Sequence, residues 1–243
     1  MKHSLPPMAE IWVYLSGNPL FALVLTLSAY WLGVTLYERS QRNPIANPVL
    51  IAVLIVASVV GVLDIPYEKY FEGAQFVHFM LGTATVSLAI PIYKSWASLR
   101  GRFAVLLLAL LAGGVTSVAV ALAMADLFDL NAALVGGLYA KSVTAPIAMG
   151  IAEHIQVSPT LTAVYAVVTG VLGAVLGRFV MDAMGMRQWW QRGFALGVAS
   201  HGIGTSRAFS VHPEAGTYAS LGMGMHGVLG AVILPSVVNW LRS

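Results

Sequence analysis

The sequence contains no cysteine and very few charged residues. The absence of cysteine among 243 residues excludes disulfide bonds, thiolate metal sites and cysteine nucleophiles. Charged side chains make up 9% of the chain and hydrophobic ones 58%, whereas a soluble domain carries about 25% charged residues. The mean hydropathy is +0.80. Because so little polar surface cannot cover a water-soluble globule, we predict an all-α integral membrane protein in a lipid bilayer.

Charge runs, low-complexity stretches and linkers are also missing. The net charge of +3 is scattered over short loops, so it bears on membrane orientation, and no nucleic-acid partner is expected. Residues 1–18 lack an uninterrupted apolar run with a small-residue cleavage site, so we expect no removable signal peptide. We expect a single transmembrane domain over 1–243, with an N-terminal helix and loop in 1–47 and a core in 48–243.

Long apolar runs are what the chain does contain. A membrane-spanning helix needs about 20 mostly apolar residues, which predicts a bundle of about seven or eight transmembrane segments. The candidates are 19–37, 48–64, 74–92, 103–128, 132–154, 160–184, 193–210 and 217–241. Three of them (74–92, 132–154 and 193–210) carry Gly, Ser, Thr or Pro near the middle, and there we predict broken or re-entrant helices.

Lysine and arginine in short loops predict the orientation in the membrane. The basic loops 38–47 and 93–102 fit a regular alternation that starts with the N-terminus outside. The alternation fails at Arg187 and Arg192, which simple counting places outside. A segment that re-enters instead of crossing would remove this conflict.

Short strings recur along the chain and predict internal repeats. GVLGAV occurs at 170–175 and at 227–232, while AKSVTAPIA (140–148) aligns loosely with ASHGIGTSR (199–207) and with GTATVSLAI (82–90). Each copy would be an interrupted polar segment followed by an apolar helix. The copies lie near 74–128, 132–184 and 193–241. The sequence leaves open whether they are parallel or inverted.

Small residues recur at helix-packing spacing. Gly173-x-x-x-Gly177 and Gly193-x-x-x-Gly197 allow two helices to approach closely. Since such spacings are frequent in membrane helices, they predict a packed bundle and no more.

Polar residues in the interrupted segments are candidates for a solute site. Non-helical backbone at membrane depth is tolerated only where protein or a water-filled cavity covers it, and broken helices of transporters point their N-termini at anionic substrates. We predict a polar core from 75–87, 140–148 and 200–207. The candidate substrate-binding residues are Gln75, Thr83, Thr85, Lys141, Ser142, Thr144, Pro146, Ser200, His201, Gly202, Gly204, Thr205 and Arg207.

The charged candidates also have plainer structural interpretations. Lys141 lies well inside its segment, where a lysine usually faces a cavity or a partner, yet it could instead extend to an interface while Pro146 only kinks a helix. Arg207 suits a carboxylate and His201 an anion or a proton, but both could serve helix ends and packing. For His226 we favour packing.

Nothing in the sequence favours an enzyme. The string GIGTS has no preceding strand and no following GK[ST], which excludes Rossmann and P-loop sites, and no residues have metal-ligand spacing. Ser200 and His201 are sequence neighbours that we expect to point to different sides, so they make a poor nucleophile–base pair. We expect no metal and no cofactor, with coupling to H⁺ or Na⁺ left open.

Three strings resemble a known family: IPYEKYFEGAQFVHFMLGTATVSLAIPIYKSW (65–96), YAKSVTAPIAMGIAE (139–153) and RGFALGVASHGIGTSRA (192–208). They are similar to the LrgB family of LrgB/CidB/YohK-like membrane proteins, which is related to the plastidial glycolate/glycerate translocator. The resemblance covers nearly everything from residue 47 onward. The chain departs from the family where Ala140 and Thr83 replace prolines and where His226 stands near a usual asparagine.

The resemblance implies a multi-pass protein of the bacterial inner membrane that transports small monocarboxylates (glycolate, glycerate, pyruvate or similar) by alternating access. It also implies a small LrgA/CidA-like companion and a homo-oligomer. The alternative is a holin/antiholin-like oligomer that regulates murein hydrolase activity and cell lysis. Cationic side chains amid broken helices suit an anion site better than a bare pore, so we favour transport. A scaffold for a wall hydrolase would need longer loops.

Overall fold

A computed structural model describes residues 19–87 and 89–242 of the chain. Within its helices, the side chains of residues 78, 81, 82, 84, 85, 241 and 242 lie outside the description. The expectations for residues 1–18 and for the side chain of Thr85 therefore lie outside the described residues. All regular secondary structure in the described ranges is helical, as predicted.

The first compact unit ends at Ser87. Its described part contains α1 (Pro19–Arg39), a short 3-10 turn (Pro44–Ala46), α2 (Pro48–Val62) and α3 (Tyr67–Ser87). The side chain of Asn47 caps α2 by accepting hydrogen bonds from the backbone N–H groups of Val49 and Leu50. A hydrogen bond of 2.8 Å between the hydroxyls of Thr26 and Tyr70 joins α1 to α3.

The second compact unit begins at Leu88 and carries most of the candidate residues. Its helices are α4 (Ala89–Lys94), α5 (Trp96–Arg100), α6 (Phe103–Leu127), α7 (Ala132–Leu138), α8 (Ala145–His154), α9 (Pro159–Ala183), α10 (Trp189–Val211) and α11 (Pro213–Arg242). Asn131 and Ser158 cap α7 and α9 by accepting from the N–H groups of Leu134 and Leu161. Whether the two units form one domain stays a prediction.

Four of the described helices are long and apolar enough to cross a membrane. They are Pro19–Arg39, Phe103–Leu127, Pro159–Ala183 and Pro213–Trp240. Each coincides with a predicted apolar segment, whereas α2 is an apolar helix of only 15 residues. The predicted count of seven or eight transmembrane segments is not confirmed.

Helix α9 has one face for protein and one for lipid. Residues four apart share a face of a helix, and its inner face consists of small side chains, which are Thr162, Ala166, Gly170 and Ala174. The opposite face consists of exposed aliphatic side chains, which are Val164, Val168, Leu172 and Leu176. Acyl chains are as apolar as these side chains, so this exposure suits a membrane.

Two of the three predicted interruptions are confirmed. Between α7 and α8 the chain is non-helical around Lys141, and α10 leaves helical geometry at His201 (φ 41°, ψ −129°). Pro146 does not kink a helix: it lies in the first turn of α8, where a proline breaks no hydrogen bond. The break predicted near the middle of 74–92 is not observed, because α3 is helical from Tyr67 to Ser87, and Leu88 beyond it lies outside the described residues.

Candidate functional site

Helix α10 folds back on itself at His201. A straight helix of its 23 residues would be about 35 Å long. Instead the indole of Trp189, its first residue, stacks on the imidazole of His212, just beyond its last, with ring centroids 4.9 Å apart and planes 8° apart. The two halves therefore run in opposite directions, and the segment leaves on the side where it entered. We call Trp189–Val211 the second hairpin.

The segment 132–154 folds back in the same way. Helix α8 has 10 residues and rises about 15 Å, so α7 would lie beyond its start if the segment crossed the membrane. Instead Gly137 of α7 lies against Thr162 and Tyr165, in the first two turns of α9, where a Cβ on the glycine would be 3.2 Å from the Thr162 Oγ1. This is the end at which α8 finishes and α9 begins. Residues 132–154 therefore form a first hairpin.

The two hairpins approach the middle of α9 from its opposite ends. At the turn of the first hairpin, Ala140 and Val143 belong to the same buried cluster as Ala166. At the turn of the second, the imidazole of His201 lies against Gly170, where a Cβ would be 2.8 Å from the ring. An opposed pair of broken segments that meet at the midplane is the arrangement of binding sites in inverted-repeat transporters. The order of hairpin and then apolar helix occurs twice here, while the three-copy repeat stays a prediction.

One contact with α9 and two contacts within α10 maintain the break at His201. A positive φ costs a non-glycine residue about 1–3 kcal/mol, so the surroundings must stabilise it. The Nε2 of His201 is 2.8 Å from the carbonyl oxygen of Ala166. The Oγ1 of Thr205 donates to the carbonyl oxygen of His201 at 2.7 Å. Gly204 allows the close return of the chain, since a Cβ there would be 2.6 Å from the carbonyl oxygen of Leu196.

Small residues seat the second hairpin against α11. Gly193 and Gly197 face the backbone of Ala215 and Ala219, and a Cβ on either glycine would overlap the carbonyl oxygen opposite it. This contact confirms the close packing predicted from the Gly193-x-x-x-Gly197 spacing. Gly177, by contrast, makes only ordinary contact, with a Cβ distance of 3.7 Å to Leu196.

Lys141 lies at the turn of the first hairpin and is bound by hydroxyl groups. Its Nζ donates to the Oγ of Ser117 in α6 at 2.8 Å and to that of Ser142 at 3.4 Å, and the two hydroxyl oxygens are 2.6 Å apart. The imidazole of His226 in α11 lies against Gly114 of α6, about one turn before Ser117, where a Cβ would be 3.2 Å from its Cε1. We call Ser117, Lys141, Ser142 and His226 the polar cluster. The half-buried Lys141 is thus bonded inside the second unit, and its head does not extend to an interface.

Ser200 and His201 both face α9, and the prediction that they point to different sides is wrong. The break turns the backbone between them, so that the Ser200 Oγ lies against Gly173 and the His201 ring against Gly170, one helical turn away. Ser200 is 1% exposed, and its hydroxyl has no hydrogen-bond partner among the described residues. Both side chains therefore lie at the interface between the second hairpin and α9.

A cavity of about 340 Å³ lies at the open end of the second hairpin, between α9, α10 and the start of α11. Its charged lining consists of Arg178, Asp182, Arg192 and Arg207. Nη1 of Arg192 donates to Asp182 Oδ1 at 2.7 Å, and Nε of Arg178 lies 3.6 Å from Asp182 Oδ2. Among the described side chains of this lining, three guanidinium groups and one carboxylate leave a formal excess of two positive charges. We call this space the arginine cavity.

The remaining candidate residues of the second unit differ in how far they are buried. Thr144 is the half-buried N-cap residue of α8 and makes no side-chain capping bond, and Pro146 beside it is exposed. Gly202 is half-buried, with the sulfur of Met223 3.9 Å from where its Cβ would be. The structure brings Lys141 and Ser142 together in the polar cluster. It places His201 at the turn of the second hairpin against α9 and Arg207 in the arginine cavity.

The candidates Gln75 and Thr83 belong to the first unit, where both are exposed on α3. Nε2 of Gln75 donates to the carbonyl oxygen of Glu72, and Oγ1 of Thr83 donates to that of Met80, each at 2.8 Å. Both side chains thus bond to their own helix. Their part in a solute site stays a prediction.

Sequence reasoning missed four residues and assigned His226 to packing. The missed residues are Ser117, Arg178, Asp182 and Arg192. One signal was available: Arg178 and Asp182 are an oppositely charged pair four residues apart near the end of an apolar helix. Ser117 had no such signal, because a lone serine in an apolar helix commonly bonds to its own backbone.

Known proteins are similar to this chain along nearly its whole length. The model of the LrgB-like family matches residues 26–240. The protein YxaC of Bacillus subtilis is 32% identical over 219 residues, which cover 90% of this chain and 94% of YxaC. The holin-like protein CidB of Staphylococcus epidermidis is 25% identical over 216 residues, 89% of this chain and 94% of CidB. No solved structure matches the chain.

Proposed function

This chain belongs to the LrgB-like family, and from that membership and its arginine cavity we propose that it transports small monocarboxylates such as glycolate, glycerate or pyruvate. It is a multi-pass protein of the cell membrane, with four long apolar helices in the described part of the chain and relatives named holin-like proteins. The observation that carries the proposal is the positively charged cavity at the open end of a hairpin that re-enters the protein.

The size and charge of the arginine cavity fit such a solute. Ligand pockets span about 300–1,000 Å³, so a cavity of about 340 Å³ suits a molecule of few heavy atoms. A guanidinium group binds a carboxylate through two parallel hydrogen bonds. Because three guanidinium groups share the described lining with one carboxylate, an anion that enters the cavity lowers the electrostatic free energy.

The polar cluster supplies a second binding position nearer the middle of α9. Here the Lys141 ammonium and the hydroxyls of Ser117 and Ser142 offer a charge and hydrogen bonds to a carboxylate. The N-terminus of α8, beside Thr144, adds the partial positive charge of a helix end. In our proposal the anion binds first near Arg207 and then near Lys141, as the hairpins open the path alternately to either side. An LrgA/CidA-like companion and H⁺ or Na⁺ coupling are parts of the same proposal.

A second candidate function comes from the relatives named as holin-like proteins. In that case copies of the chain would assemble into an oligomeric pore that regulates murein hydrolase activity and lysis. The arginine cavity favours the carrier, since it lies within one chain and is bounded by a folded hairpin. A pore between protomers would conduct without saturation and without chemical selectivity.

Uptake of radiolabelled glycolate, glycerate and pyruvate into proteoliposomes, with and without the companion subunit, tests the proposal. We expect saturable uptake of at least one acid. Arg207→Gln and Lys141→Met each remove a charged partner worth about 1.5–3 kcal/mol, which corresponds to a loss of about tenfold or more. The matched control is Arg100→Gln, an exposed arginine at the end of α5, which should leave uptake unchanged.

The other outcomes are equally informative. A non-saturable leak of all three acids would favour the pore. Uptake only with the companion would make the chain one half of a transporter. No uptake under either condition would contradict monocarboxylate transport.

A further inference from the structure

Arg102 lies at the junction of α5 and α6 and belongs neither to the arginine cavity nor to the polar cluster. We propose that Arg102 and Ser98 bind the phosphate group of an anionic phospholipid in the cytoplasmic leaflet. The transport proposal uses neither of these two residues. Lipid binding here is also independent of which solute the chain carries, so the two proposals can fail separately.

Three side chains from different helices fix the orientation of the Arg102 guanidinium. Its Nη1 donates to the Ser98 Oγ at 2.6 Å, to the Ser98 carbonyl oxygen at 3.4 Å and to the Tyr218 Oη at 2.9 Å. Its Cζ lies 5.2 Å from the centre of the Trp190 ring and 6.0 Å from that of Tyr218, which is the range of a cation–π contact. Nη1 therefore serves α5 and α11, while aromatic rings of α10 and α11 support the guanidinium.

The opposite edge of this guanidinium remains available to a ligand. Arginine has five N–H donors, and Nε and Nη2 of Arg102 have no hydrogen-bond partner among the described residues. Arg102 is half-buried and neither atom is among the buried atoms that lack a partner, so both are accessible from outside the protein. Such a fork binds two oxygens of a phosphate at once. The ion pairs of the described ranges join Asp182 to Arg178 and Arg192, so Arg102 keeps its charge unpaired there.

The hydroxyl of Ser98 supplies a further donor beside the fork. Ser98 and Tyr218 share a hydrogen bond of 3.0 Å between their hydroxyl oxygens. Tyr218 is 1% exposed, and in the described part of the chain its hydroxyl has Ser98 as its only acceptor, so the tyrosine donates and the serine accepts. The hydroxyl hydrogen of the exposed Ser98 is then free to donate to a phosphate oxygen.

The position of Arg102 matches the headgroup level of a membrane. Helix α6, which begins at the next residue, is long and apolar enough to cross the bilayer. Trp96 of α5 is 57% exposed, as expected of an aromatic side chain in the interfacial belt. The loop 93–102 contains three basic residues and no acidic one, which predicts the cytoplasmic side. That leaflet is negatively charged, and basic sites between transmembrane helices on this side bind its headgroups.

The experiment measures lipid binding by native mass spectrometry of the purified protein in a non-ionic detergent. The ligands are phosphatidylglycerol, phosphatidylcholine with the same acyl chains, and inorganic phosphate. We expect the unmodified protein to bind phosphatidylglycerol about tenfold more tightly than phosphatidylcholine, and Arg102→Gln to lose this preference, because charged hydrogen bonds contribute about tenfold or more. The matched control is Arg100→Gln, which removes one exposed charge from the end of α5 and should retain the preference.

Two further variants and the unfolding temperature separate lipid binding from a structural role of Arg102. Arg102→Lys keeps the charge without the fork, so its affinity for phosphatidylglycerol should fall between those of the parent and Arg102→Gln. Ser98→Ala changes an exposed side chain, so it should fold and still lose part of the preference. A lipid that binds the folded state raises the unfolding temperature, whereas a purely structural role predicts that Arg102→Gln lowers this temperature equally with and without phosphatidylglycerol.

Three results would overturn the proposal. The first is equal affinity of the unmodified protein for the two lipids. The second is an equal loss of phosphatidylglycerol binding in Arg102→Gln and Arg100→Gln, which would indicate attraction by overall charge alone. The third is binding of inorganic phosphate with the affinity of phosphatidylglycerol, which would indicate a site for a soluble anion. If Arg102→Gln does not fold, an unchanged preference in Ser98→Ala would decide against the site.

Discussion

The indole of Trp189 stacks on the imidazole of His212, although one is the first residue of α10 and the other follows its last. This contact closes the base of the second hairpin beside the arginine cavity, of which Trp189 forms part of the lining. The first hairpin returns to the opposite end of α9. Because 132–154 does not cross, α9 runs in the direction that places Arg187 on the same side as the basic loop 93–102, and the conflict in the positive-inside pattern disappears.

The two hairpins predict a specific pattern of side-chain labelling. The chain has no native cysteine, so single-cysteine variants need no background removal. Leu130→Cys and Gln156→Cys, which flank the first hairpin, should react with a membrane-impermeant thiol reagent from one side. Arg187→Cys, just before the second hairpin, and Ser210→Cys, in its last turn, should react from the other side. All four positions are exposed. Labelling of Arg187→Cys and Ser210→Cys from opposite sides would mean that 189–211 crosses the membrane.

The contact between Gly197 and Ala219 should make α10 sensitive to a single methyl group. Gly197→Ala places a Cβ against the carbonyl oxygen of Ala219, which is backbone and can move only with its helix. We expect a loss of about 1–3 kcal/mol in the free energy of unfolding, measured by thermal unfolding in detergent. The control is Gly224→Ala, where nothing lies within 4 Å. That variant should be as stable as the parent or slightly more so, and equal effects of the two substitutions would contradict this packing.

The break at His201 should depend more on backbone conformation than on the imidazole. His201→Gly and His201→Ala both remove the contact with the Ala166 carbonyl, which is worth about 1 kcal/mol. Only glycine adopts a φ of 41° without strain. We therefore expect His201→Gly to unfold at a higher temperature than His201→Ala, with a difference of about 1 kcal/mol or more in stability.

Uptake measurements on the same two variants test the imidazole itself. If the side chain contacts the solute, both variants lose transport although only one is strained.

For the stability prediction, the contradicting outcome is equal stability of His201→Gly and His201→Ala. It would mean that residue 201 is helical and that the break lies elsewhere.

Local chemistry correctly predicted two helix breaks, whereas the break predicted near the middle of 74–92 is not present in α3. The string AKSVTAPIA interrupts its segment around Lys141 and ASHGIGTSR interrupts the next one at His201, because glycine, proline and hydroxyl side chains weaken a helix at these points. The same local reasoning assigned Pro146 to a kink, whereas the structure uses it to begin α8. It also put Ser200 and His201 on different sides, since it assumed regular helical geometry across a break.

Contacts between distant residues decided what lies near the breaks. Ser117 reaches Lys141 because α6 packs beside the first hairpin, and Arg178 and Asp182 meet Arg192 because α9 ends where the second hairpin begins. The spacing pairs Arg178 with Asp182, but nothing in it indicates Arg192 as their partner or Ser117 as the partner of Lys141. That Arg207 belongs to an anion site remains a prediction. The structure shows that Arg207 lines a cavity together with Arg178, Asp182 and Arg192.

The sequence by itself determined that this chain resides in a membrane, that it is helical and that its helices are interrupted around Lys141 and at His201. These properties depend on composition and on local backbone preferences, which the residues of each segment set without tertiary contacts. Only the tertiary structure decided that the interrupted segments 132–154 and 189–211 return instead of crossing. The physical reason is that the direction of a chain after a break depends on what it packs against, here α9 and the small residues Ala215 and Ala219 of α11.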